Sequence, residues 1–210
     1  MRGADAVTLF RSALAIGSAY LVLMKYNPWF IVLLIAVIIF LDAVDGFLAI
    51  RAESYGEVDF MSYAKSQMGD MKAKSLVQKF RKKASTNAKF GARMDVAGDR
   101  VVEYTYWVLF TYLGLVPLFV TFIVIIRHSF ADAFMGAKGT SSHMRTRFAD
   151  AVYSSKIGRF GINVVKFAAF SYLALVYILG YPLWVGYALT AILVAYILLR
   201  GAAEIWEATR

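Results

Sequence analysis

The stretch PWFIVLLIAVIIFLDAVDGFLAIR, residues 28–51, decides the fold. It opens on a proline, runs through twelve apolar residues from Trp29 to Phe40, and then meets Asp42 and Asp45 three positions apart. An apolar run of about 20 residues is the length that crosses a bilayer. Carboxylates at the end of such a run are costly unless something binds them.

The rest of the chain has the same character. Of its 210 residues, 60% are hydrophobic and only 18% are charged, with a mean hydropathy of +0.60. A soluble domain carries roughly 25% charged residues and needs them to cover its surface. The class is therefore an all-α, multi-pass integral membrane protein. There are no cysteines, which excludes disulfides and thiol chemistry. The net charge of +9 fits lysines and arginines gathered at a cytoplasmic membrane face, so nucleic acid is not expected as a partner. The apolar N-terminal segment has no small-residue cleavage site and reads as a retained first span, not a signal peptide.

Six segments are long enough to span: near 5–24, 28–49, 95–113, 115–136, 161–179 and 183–203. Tight connections, KYNP at 25–28, GLVP at 114–117 and GYP at 180–182, follow the first, third and fifth. Glycine and proline there suit sharp turns between antiparallel helices. Residues 51–100 hold eleven Lys and Arg, residues 127–160 hold six, and the tight turns hold only Lys25. The positive-inside rule then places both polar loops and both termini in the cytoplasm. The expectation is one domain over 1–210, with a polar, basic cytoplasmic insertion at about 52–90. His128 and His143 lie apart in sequence and read as bystanders, not metal ligands.

A second acidic pair occurs in KFGARMDVAGDRVVEY, residues 89–104: Asp95 and Asp99, four apart. Each pair shares one face of its helix, and both pairs fall at cytoplasmic ends of spans. Antiparallel helices bring all four carboxylates to one depth, where they raise one another's pKa values unless a cation intervenes. Hard oxygen ligands of this kind suit Mg²⁺, Mn²⁺ or Ca²⁺ and not zinc, and the first two characteristically bridge carboxylates to substrate phosphates. Gly46 follows Asp45, and Gly91 precedes Asp95 by one helical turn. Without a Cβ, each lets a phosphate or nucleotide lie against the backbone.

These residues resemble the signature of the CDP-alcohol phosphotransferase family, D-x-x-D-G-x-x-A-R followed by G-x-x-x-D-x-x-x-D. Asp42, Asp45, Gly46 and Ala49 match the first half, and Gly91, Asp95 and Asp99 the second. Thr8 and Arg11 are similar to a T-x-x-R frequent in the family's first helix. The resemblance covers residues 5–115 and implies six transmembrane helices, with an active site at the cytoplasmic ends of helices 2 and 3. It implies a role in phospholipid biosynthesis: transfer of a phosphatidyl-type group from a CDP-linked lipid to an alcohol, releasing CMP. Asp42, Asp45, Asp95 and Asp99 would hold one or two Mg²⁺ or Mn²⁺ ions, with Asp99 as general base. Asp42, Gly46, Ala49, Arg51 and Gly91 would bind CDP. Arg127, deep in an apolar helix, Arg159 and Lys138 are the candidates for the phosphate of a phosphorylated acceptor such as glycerol phosphate or inositol phosphate; Arg145, Arg147 and Lys156 stand behind them. A homodimer is also implied.

Two departures stand out. Ile50 follows Ala49 where the family has arginine, so that Arg51 comes one residue late, a rotation of about 100° on a helix. Either the helix unwinds there or Arg51 does not fill the usual role. Thirty-nine residues separate Arg51 from Gly91, where the family has about eight. In that insertion Met61, Met68, Met71, Leu76 and Phe80 would line a basic interfacial helix, or the segment is a solvated loop. The competing class is a divalent-cation transporter using the same carboxylates, although such sites favour the bilayer midplane and inverted repeats.

Overall fold

The computed structural model describes residues 3–55, 57–68, 70–87, 91–135 and 156–208. These residues form helices and no strand: α1 Gly3–Leu23, α2 Pro28–Glu53, α3 Phe60–Met68, α4 Met71–Asn87, α5 Gly91–Tyr112, α6 Leu118–Met135, α7 Lys156–Leu179 and α8 Leu183–Ala208. The tight connections behave as their composition requires. The Asn27 side chain accepts from the amides of Trp29 and Phe30 and so caps α2, with Pro28 in the first turn, where its missing N–H costs nothing. Gly114 and Gly180 take φ of +70° and +72°, a conformation open to glycine at little cost.

Helices occur at all six expected positions. Four are long and apolar enough to cross a membrane: Asp5–Leu23, Pro28–Leu48, Gly161–Leu179 and Leu183–Glu207. The first half of α5 instead carries Arg93, Asp95, Asp99, Arg100 and Glu103. α6, at 18 residues, is at the short end for a span. The chain is thus an all-helical membrane protein on the evidence of four apolar helices. Large apolar side chains point outward as well as inward; Phe10, Ile16, Leu33, Phe40, Trp184 and Ile192 are all exposed, as suits helices solvated by lipid.

One core holds the bundle together. Tyr106, Trp107 and Phe110 of α5 stack and edge against Phe170 of α7, over Ile31, Ile35 and Ile38 of α2 and Ala15 and Val22 of α1. α1 lies between α2 and α5, while α8 packs on both α6 and α7. Small residues on α1 allow that close approach, and Ser18 bonds Tyr106 hydroxyl to hydroxyl at 2.7 Å.

The described residues of the insertion fold as two helices and not as a solvated loop. α3 and α4 pack on each other, and α4 packs on the end of α2. They build a second core from Phe47, Ile50, Val58, Tyr63, Val77 and Phe80. Of the apolar face expected from sequence, Phe80 is buried and Leu76 half-buried in this core, but Met61 and Met71 are exposed. α3 begins at Asp59, whose carboxylate accepts from the Ser62 amide at 2.9 Å. Hydrogen bonds from the Ser62 hydroxyl and amide hold that carboxyl below its usual value.

Candidate functional site

Asp42 on α2 and Asp95 and Asp99 on α5 converge. One carboxylate oxygen from each lies within 4.8 Å of the other two. The convergence follows from helix length. Asp42 lies 14 residues into α2, Asp99 13 residues before the end of α5, and Arg11 12 residues before the end of α1. At 1.5 Å per residue these are depths of about 18–21 Å from the same end of the bundle.

Arg11 ties the three helices there. Its guanidinium is 2% exposed; Nη1 donates to Asp42 Oδ1 and Nη2 to Asp99 Oδ1 at 2.8 Å. Gly98, beside Asp99, faces Thr8, and a Cβ at 98 would run into Thr8 Cγ2 and stand 3.4 Å from Arg11 Nη2. Glycine is what lets α5 settle on α1 with the guanidinium between the acids. The sequence singled out Gly46 and Gly91 but not Gly98; its signal was a small residue one place before an acid.

Three carboxylates in so small a space carry more negative charge than Arg11 alone neutralises. Repulsion of this kind is relieved by protonation or by a cation. The donors are all carboxylate oxygens from two helices, partly open to solvent, a set that fits Mg²⁺ or Mn²⁺ with remaining positions filled by water or phosphate.

The other expected ligands fall less simply. The side chains of Asp45 and Ala49 lie outside the described residues. Gly91 opens α5 one turn before Asp95. Gly46 is covered, since a Cβ there would stand 2.8 Å from the Tyr63 hydroxyl. α2 stays helical through Glu53, so unwinding at Ile50 is excluded. Nine residues at 100° each put Arg51 about 180° round the helix from Asp42. There it is exposed and lies 5.8 Å from the Phe47 ring, and the structure does not bring it to the carboxylates. Ile50 is 2% exposed in the second core, and an arginine at 50 would put a charge under the α3–α4 arm.

One turn beyond Asp99 lies a charged network that the sequence reading did not assemble. Glu103 on α5 is buried, accepting from Lys166 Nζ of α7 at 2.6 Å and from His128 Nε2 of α6 at 3.0 Å. Arg127 Nη1 donates to His128 Nδ1 at 2.7 Å, which leaves the imidazole proton on Nε2. Arg127 Nη2 donates to Glu204 of α8 at 2.9 Å, and Arg100 holds Asp132 through two bonds of 2.7 and 2.8 Å. His128, expected to be a bystander, is 2% exposed and central to this network. Arg127 is not the lone cation its sequence context suggested, because Glu204, 77 positions away, neutralises it. Charged residues inside apolar segments, namely Glu103, Lys166 and Glu204, were the available signal. Lys138, Arg145, Arg147 and His143 lie outside the described residues, as do the side chains of Lys156 and Arg159.

Fold and site together define a helical membrane protein with a carboxylate cluster at one end of its bundle. No family model, curated protein or solved structure matches the chain.

Proposed function

We propose that the chain is a membrane-embedded, divalent-metal-dependent CDP-alcohol phosphotransferase of phospholipid biosynthesis, active at the cytoplasmic face. The observation that carries this reading is the meeting of Asp42, Asp95 and Asp99, which are the residues whose spacing resembles that family. In this reading α5 and α6 complete six spans with both termini in the cytoplasm. An exposed apolar stripe on α6, Phe119, Phe122, Ile126 and Phe130, supports placing that helix against lipid.

The site would act as follows. Mg²⁺ or Mn²⁺ held there would supply charge neutralisation for the pyrophosphate and for the departing CMP. Asp42, Asp95 and Asp99 would hold it, with Asp45 of the same signature. The acceptor hydroxyl oxygen forms the new bond to the lipid-bearing phosphorus, the pyrophosphate P–O bond breaks, and CMP departs with that bond's electron pair. Asp99 takes the hydroxyl proton, while Arg11 fixes the orientation of Asp99 through Oδ1. In this reading Asp42, about 21 Å along α2, would lie toward the cytoplasmic side of a bilayer about 30 Å thick, where the donor's tails stay in lipid and its CDP group meets the cluster.

The test is CMP release by the purified protein in detergent, with CDP-diacylglycerol, Mg²⁺ or Mn²⁺ and a panel of alcohols that includes glycerol phosphate and inositol phosphate. Metal-dependent release with one acceptor is the expected result. No release with any acceptor, together with Mn²⁺ uptake into proteoliposomes, would establish the transporter instead.

A further inference from the structure

The α3–α4 arm begins beside the end of an apolar span. Pro28–Leu48 is the part of α2 long and apolar enough to cross a bilayer. The Phe60 ring, at the start of α3, lies 5.3 Å from that of Phe47 and 6.4 Å from that of Phe40. Both partners lie toward the end of that stretch, so whatever solvates the end of α2 also meets Phe60. Phe40 is 57%, Phe60 44% and Met61 61% exposed. The lipid-facing surface of α2 thus continues onto α3.

The residues around Phe60 set how deep the arm lies. Asp59, exposed, caps α3 through the Ser62 amide, and a carboxylate is costly in hydrocarbon. The first turn of α3 therefore stops at the headgroup boundary. Around α3, Ala64 lies about 40° from Phe60, Met61 about 100° and Lys65 about 140° in the same direction. Buried Tyr63 and Ser66 are on the other side. Exposed Lys65 stands one turn beyond Met61 on the outer face, where a lysine stem lies along apolar surface while its ammonium reaches a phosphate. α4 then carries six Lys and Arg and no acid, with Lys72 and Lys79 exposed.

We propose that the arm is a docking surface for anionic phospholipid headgroups. Phe60 and Met61 sit among the outermost acyl segments beside Phe40, and Lys65 pairs with headgroup phosphates. The uncompensated charge of α4 adds attraction over roughly a Debye length from the surface. The inference stands apart from the transferase reading, because it rests on the apolar span of α2 and on the arm's own residues. Lipid fits this face better than a soluble partner does, since the arm's apolar edge continues a surface that lipid already covers. Docking also gives the arm a second support besides its small core.

The experiment uses the full chain in nanodiscs of phosphatidylcholine, with or without phosphatidylglycerol. The chain has no cysteine, so Met61→Cys offers one site for a nitroxide label. In anionic discs, oxygen should relax that label more strongly than a neutral, water-soluble nickel chelate does. Lys65→Gln in the labelled chain should lower the docked-to-free ratio in those discs by about fivefold, the effect of one lysine near a charged surface, and should change little in neutral discs. Stronger relaxation by the nickel chelate in both kinds of disc would overturn the proposal. Equal docking in neutral and anionic discs would overturn the headgroup assignment. Spin–spin broadening, with poor access to both reagents, would put a second copy of the chain on this face instead.

Discussion

Arg11 Nη2 donates to Asp99 Oδ1 at 2.8 Å, across 88 positions of sequence. The same guanidinium reaches Asp42, so one buried cation fixes the spacing of acids on two other helices. Arg11→Gln should leave those carboxylates facing each other. Removing one partner of a buried pair costs about 3–5 kcal/mol, and about 2–4 here because the carboxylates keep some solvent contact. In thermal unfolding with EDTA the variant should melt well below wild type, and Mn²⁺ should recover more stability for the variant than for wild type. Equal melting temperatures in EDTA would show that Arg11 is not what holds the cluster.

The cluster itself predicts a metal response. Mn²⁺ at about 100 times its Kd should stabilise the wild-type chain by about 2.7 kcal/mol. Asp42→Asn and Asp95→Asn each remove a charged ligand and should lose most of that increment, along with more than about 100-fold in CMP release. A full Mn²⁺ shift in both variants would place the metal elsewhere.

How much of this was legible in sequence depends on the range of the interaction. The helices, four of them long and apolar enough to span, and the turns follow from apolar run length and from Asn27, Gly114 and Gly180, all local signals. Three of the four acids were legible because helical spacing sets which residues share a face, and Asp42 met Asp95 and Asp99 as antiparallel helices require; the side chain of Asp45 lies outside the described residues. Partners chosen across the bundle were not. Nothing near Arg127 announces Glu204, and nothing near Glu103 announces Lys166. The arm misled for a different reason. Its core is shared with Phe47 and Ile50 of α2, so 52–90 taken alone shows only part of the apolar surface that folds it.

Gly98 predicts a packing defect with a specific remedy. A Cβ at 98 overlaps Thr8 Cγ2, and forcing an extra methyl into a packed interface costs about 1–3 kcal/mol. Gly98→Ala should therefore lower the melting temperature. Thr8→Ser removes the methyl that is struck, so the Gly98→Ala/Thr8→Ser double variant should be more stable than Gly98→Ala alone. Strictly additive losses in that double-mutant cycle would mean the two helices do not meet there.

The Arg127–Glu204 pair is 8% and 7% exposed at its side chains. Glu204→Ala should cost about 3–5 kcal/mol by leaving a buried cation, whereas Arg127→Met/Glu204→Leu together should be close to neutral. Gly201 belongs to the same contact, because a Cβ there would stand 2.8 Å from Arg127 Cγ; Gly201→Ala should destabilise in parallel. Chemical denaturation of the reconstituted protein separates these outcomes. A double variant as unstable as Glu204→Ala would show that packing, not charge, sets the cost.

Ile50 decides whether the arm stays on the bundle. It is almost fully buried among Phe47, Val58, Tyr63, Val77 and Phe80, a cluster separate from the main core. An arginine at that position must bury a charge without a partner or push α3 and α4 away, and the second costs less because the arm's core is small. Ile50→Arg should therefore free the arm and leave the bundle folded. Lys65, Lys72 and Lys79, exposed on the arm, would then become faster trypsin sites, by tenfold or more, since cleavage follows the population of the open form. The melting temperature of the main core, which holds Trp107, should move by only a few degrees in calorimetry. Unchanged cleavage would mean that α4 does not depend on α2 for its place, and that Ile50 is not what joins the insertion to the site.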